Sequence, residues 1–99
     1  MKIIDKMLHH LKEEVEGAMD YAEKYIECKA RGNVNRANKY KEMAFDELNH
    51  ASNLREMDLM DIAELKKVYT MSEEEEEKWE HGHKHLTEQM AIVKHMLTM

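Results

Sequence analysis

Three side chains carry the chemistry that this sequence offers. Glu14 lies among Leu11, Ala18, Tyr21 and Tyr25, at helical offsets of three, four, seven and eleven residues. Glu47 and His50 interrupt a second apolar stripe, between Tyr40 and Ala44 before them and Leu54 after. Residues three apart in a helix share a face, so Glu47 and His50 project side by side. A carboxylate turned toward apolar neighbours must be paired, protonated or bound to a metal. No lysine or arginine occupies either stripe to pair with Glu14 or Glu47. Two carboxylates and one imidazole form an oxygen-rich donor set that suits iron, with manganese or zinc as alternatives. In such a set a Glu-x-x-His step lets one helix supply a bridging carboxylate and a terminal imidazole.

The elements that must position these residues are helices. The 99 residues include no proline and only three glycines, which excludes the turn-rich all-β folds. Apolar positions step by three and four through Ile4, Leu8, Leu11, Val15, Ala18, Ala22 and Tyr25, and predict a helix over about 3–30. Gly32 suits the residue just past its end, and Asn33 or Asn35 suits the cap of a second helix over about 35–57. The short gap makes the two an antiparallel hairpin. A short helix over 61–69 is expected next. Ser72 followed by Glu75 reads as a capping box opening a third long helix over about 73–97, with a stripe of Trp79, His83, Leu86, Met90, Val93 and Leu97. The run Glu73 to Glu77 then supplies the acidic first turn that a helix dipole favours. The reading is one all-α domain spanning 1–99.

Other side chains have plainer readings. The ten methionines fall mostly on or beside the stripes, where methionine fills gaps. Cys28 has no partner for a disulfide. His9, His10, His81 and His85 read as solvated surface residues. The formal net charge of −6 gives no electrostatic reason to bind nucleic acid or anionic membranes. Without an apolar run long enough for a membrane span or a signal peptide, the expected location is the cytoplasm.

The segment Tyr40-Lys41-Glu42-Met43-Ala44-Phe45-Asp46-Glu47-Leu48-Asn49-His50-Ala51 resembles the second helix of the ferritin-like superfamily, particularly rubrerythrin-type proteins. Glu14 followed by Tyr21 resembles that family's first ligand and its nearby tyrosine, and the interval from Glu14 to Glu47 is similar to that in its hairpins. The resemblance covers roughly residues 8–57. It implies a di-iron centre with Glu14, Glu47 and His50 as ligands and catalytic residues, and Tyr21 beside them. A complete site of this kind takes two such hairpins; this hairpin supplies half. One completion is a homodimer, or a higher homo-oligomer, whose twofold axis duplicates the ligands, as in the short encapsulated ferritins that the chain resembles. The other draws on the third helix, where Glu80 and His83 form a second Glu-x-x-His and Glu76 lies one turn earlier. The implied function is a ferroxidase that oxidises Fe(II) with dioxygen for storage or detoxification, with an encapsulating shell protein as a further partner. Two alternatives stay open: a metal-free helical assembly protein of ferritin-like shape, and a di-iron oxidoreductase or peroxide scavenger. The cysteine pairs that rubrerythrins use for electron transfer are absent, which weighs against the latter.

Overall fold

The computed structural model describes all of residues 1–99, and every regular element is helical. Helix α1 spans Lys2–Ala30, α2 spans Val34–Val68 and α3 spans Glu73–Met96. No helix is long and apolar enough to cross a membrane.

Local chemistry sets each turn. After α1, Gly32 adopts φ +78°, the left-handed conformation that glycine takes without steric cost. Its N–H donates to the Lys29 carbonyl, and the Asn33 N–H donates to the Cys28 carbonyl, the paired bonds of a Schellman motif. The same Asn33 begins α2: its side-chain oxygen accepts from the Arg36 N–H at 3.2 Å. One asparagine thus closes one helix and opens the next, which folds α2 back along α1. At the head of α3, Ser72 and Glu75 exchange hydrogen bonds of 3.0 and 3.1 Å, completing the capping box.

Helix α2 differs from its expected form. It runs unbroken for 35 residues, where the sequence reading ends a helix near Met57 and starts a short one at 61. No glycine or proline lies between Val34 and Val68 to break it. Ile62 continues the buried face and packs with Ile4, Met71 and Trp79 in a small cluster at one end of the molecule. The resulting rod measures 54 × 19 × 18 Å.

Helix α3 lies parallel to α1. Lys78 pairs with Asp5 at one end, and the Lys29 ammonium donates to the Met99 carbonyl at the other. Cross-links from α3 to α2 are an Arg55–Thr87 hydrogen bond of 3.2 Å and a Lys66–Glu76 ion pair of 3.1 Å. The main core joins Leu11, Val15, Ala18 and Ala22 of α1 to Ala44, Leu48 and Ala51 of α2 and to Leu86, Met90 and Val93 of α3. The alanines line the α1–α2 seam, where small side chains allow close helix approach. α3 lies against the α1 face that carries Leu8, Lys12, Val15, Glu16 and Met19. The opposite face of the hairpin has no covering helix.

Candidate metal centre

That uncovered face holds the three residues singled out by their chemistry. Glu14 comes from the middle of α1; Glu47 and His50 come from the middle of α2, one turn apart. One donor atom from each lies within 4.8 Å of the other two. His50 Nδ1 is 3.7 Å from a Glu14 oxygen and 3.8 Å from a Glu47 oxygen. These distances are too long for direct hydrogen bonds. Donors sharing one ion at bond lengths of about 2.1 Å stand about 3.0–3.4 Å apart, so the three side chains would have to draw in from separations of up to 4.8 Å to hold one ion.

The site is a boundary site and does not sit in the core. The side chains of Glu14 and Glu47 are 24% and 27% exposed, and that of His50 is 60% exposed. The helical period directs them toward the α1–α2 seam, as their spacing implies, but α3 covers the other side. Water, an ion or another protein surface can reach all three.

Electrostatics mark Glu47. Its pKa is raised above the usual glutamate range, first by a hydrogen bond shared with Glu14, then by partial burial and by the Glu14 charge; His50 opposes the shift. Two carboxylates are held together with no lysine or arginine bonded to either. A proton on Glu47 relieves the repulsion, and a bound cation would relieve it more fully.

Glycine at position 17 makes room for this carboxylate. A Cβ placed there would lie 3.3 Å from Glu47 Oε2, tighter than ordinary contact. A glycine inside a helix costs about 1 kcal/mol relative to alanine. That cost, three residues after Glu14, was the available sequence signal for this role. Tyr21 is half-buried, and its ring stacks on that of Tyr40 with centroids 6.3 Å apart.

The third helix stays outside the group. Glu80 is exposed, and Glu76 is paired with Lys66. His83 is half-buried against Trp79, with ring centroids 5.1 Å apart, and its Nε2 is buried without a hydrogen-bond partner. Burial, and then the Arg55 charge, lower its pKa and favour the neutral ring. Asp58 was not anticipated: it is the one buried charged side chain. Burial raises its pKa, the Asp61 charge adds to the shift, and His10 opposes it. Asp58 follows His50 by eight residues on α2 and belongs to the continuous part of that helix that the sequence reading divided.

Compared with known proteins, the chain matches no family model, and no curated protein or solved structure is significantly similar to it.

Proposed function

We propose that this chain is a ferritin-like di-iron protein that works as a ferroxidase, with its site completed by a second copy of itself. The observation that supports this most strongly is the convergence of Glu14, Glu47 and His50 from two helices onto one uncovered face. The donor set fits: two carboxylates and one imidazole favour a metal such as iron over metals that prefer thiolates. The cluster also lacks the internal cation that would make two adjacent glutamates a purely structural feature.

Each residue has a defined task. Glu14 and Glu47 supply the negative charge that draws Fe(II), the substrate, to the hairpin. Because the Glu47 pKa is raised, a proton would compete with the cation for this carboxylate, so affinity should rise with pH. His50 contributes a neutral nitrogen at the edge of the group. Gly17 keeps the Glu47 carboxylate free to adjust its position. Two Fe(II) ions held side by side would each give one electron to dioxygen, which would take up two protons and leave as hydrogen peroxide while both irons become Fe(III).

Half a site from each chain makes a dimer the simplest completion. A twofold axis across the open face would set the two hairpins together as a four-helix bundle, giving four glutamates and two histidines. Met43 and Met57 lie exposed beside the site on α2 and would be covered in that arrangement. The third helix of each chain would remain on the outside. A rod of this size encloses no mineral, so storage would require a cage built from many copies or from a shell protein.

Titration with Fe(II) in air tests the proposal. Near-ultraviolet absorbance should grow and saturate at about two irons per pair of chains. Glu47→Ala and His50→Ala should abolish the saturable phase. Iron oxidation no faster than in buffer would refute the ferroxidase reading and leave a metal-free assembly protein as its successor.

A further inference from the structure

Helix α2 carries two stripes. One, through Ala44, Leu48, Ala51 and Ile62, is buried. The other lies along the uncovered face and alternates steps of four and three residues from Arg36 to Asp61, with Glu47 and His50 at its centre. None of its members is buried. A strict seven-residue repeat of this kind is how a helix presents a seam to a partner helix, and α1 already occupies the first stripe. The order of residues shows which helix fits the second. Counted outward from the point between Glu47 and His50, positions at equal distances match in chemistry: Met43 corresponds to Leu54, Tyr40 to Met57, and Arg36 to Asp61. Apolar answers apolar and cation answers anion, so the seam is complementary to itself run backward. Neither Arg36 nor Asp61 has an ion-pair partner in its own chain. Arg36 donates to the Tyr40 hydroxyl at 3.1 Å and lies over that ring, which leaves most of its five N–H donors free. The Lys24 ammonium lies 5.8 and 5.7 Å from the Tyr21 and Tyr40 ring centroids, so this end of the face is cationic. Asp58, one turn before Asp61, adds to the acidic end.

We propose that α2 pairs antiparallel with α2 of a second copy, about a twofold axis that runs perpendicular to the helices and passes between Glu47 and His50. This rests on the reading that a second copy covers the open face, and it fixes the orientation that reading leaves open. Under this axis Arg36 meets the partner's Asp61, Met43 meets the partner's Leu54, and Tyr40 meets the partner's Met57. Glu47 comes level with the partner's His50, so the two half-sites adjoin at the axis. The other twofold that could stack the two faces runs parallel to the helices. It would set cationic end against cationic end and acidic end against acidic end, and like charges brought together at an interface cost affinity. The charged positions lie clear of the central group: Arg36 precedes Glu47 by 11 residues and Asp61 follows His50 by 11, each about three turns or roughly 16 Å along the helix.

Sedimentation of the metal-free full chain tests the pairing without recourse to iron. The parent chain should be a dimer. Arg36→Asp and Asp61→Arg are both at exposed positions. Each alone should weaken dimerisation by roughly tenfold or more at low salt, because the axis turns one substitution into two like-charge contacts. The loss should shrink as salt screens those contacts. The chain carrying both substitutions regains opposite charges at each contact and should dimerise about as well as the parent. Circular dichroism checks that every variant remains helical. A parent chain that stays monomeric at the highest concentration reached would overturn the proposal. So would single variants that dimerise like the parent, the result the parallel axis gives, or a double variant no better than the single ones. Iron oxidation by the parent chain judges the ferroxidase reading separately: a dimer with this charge dependence that oxidises no iron would refute that reading and leave the antiparallel pairing standing.

Discussion

The two faces of the α1–α2 hairpin are built on opposite terms. The face under α3 is apolar and closed: Leu11 and Val15 meet Leu86 and Val93, all buried. The other face carries Glu14, Glu47 and His50, with Met43 and Met57 exposed beside them. The first gains stability by excluding water. The second keeps two like charges together and leaves apolar surface uncovered, which costs stability in the isolated chain. A bound cation together with a second copy of the chain would relieve both costs.

Substitutions on the covered face should have the largest effect on stability. Trp79→Ala should lower it by about 3–5 kcal/mol, and Leu11→Ala by about 2–5 kcal/mol, measured by urea denaturation. Neither residue belongs to the Glu14–Glu47–His50 group, so at temperatures where the variants stay folded, they should bind iron with the same stoichiometry as the parent chain. Loss of stoichiometry in a folded Trp79→Ala protein would show that the two faces are not independent.

The open face should respond in the reverse sense. Glu47→Gln removes one of two opposed charges, and the metal-free chain should become more stable by about 0.5–1 kcal/mol at neutral pH while losing iron binding. The pH dependence has the same origin. The folded state holds the Glu47 proton more tightly than the unfolded chain does, because its pKa is raised. The contribution of this group is therefore full below the unfolded glutamate pKa and is lost as pH rises through the folded value. Comparison of wild type with Glu47→Gln between neutral pH and the ordinary glutamate range should show the difference in stability shrinking as pH falls. A difference that stays constant would remove the electrostatic account of this face.

Gly17→Ala offers the smallest and most discriminating change. Alanine should raise helix stability by about 0.5–1 kcal/mol. The new methyl group would press on Glu47 Oε2, which can swing aside in the metal-free chain but not when it serves as a ligand. The expected result is a more stable protein with weaker iron binding. Unchanged affinity would mean that the close approach of Gly17 and Glu47 has no part in the site.

What could be read from the sequence was what depends on neighbours along the chain. Gly32, Asn33 and the Ser72–Glu75 box determine their turns through local hydrogen bonds, and the α1 and α3 stripes match the buried residues closely. The absence of any helix breaker in α2 was legible, but the burial of its later turns was not, because it depends on Ile62 meeting Ile4 and Trp79, contacts distant in sequence. The convergence of Glu14 with Glu47 and His50 follows from stripe geometry and the short hairpin connection. Their partial exposure does not: periodicity gives the direction of a side chain, but which face a third helix will cover is decided by packing. For the same reason Glu80 and His83, which repeat the Glu-x-x-His spacing, lie outside the group. Gly17 carried a signal in its helix-breaking cost, but only the structure identified Glu47 as its beneficiary.

Native mass spectrometry of the iron-loaded protein, with metal counted in each species, tests the central claim most directly. The account requires an assembly with an even number of chains and about two irons per pair, and loss of that iron in Glu47→Ala. A monomer that holds its full iron complement, or a dimer that binds none, would contradict it.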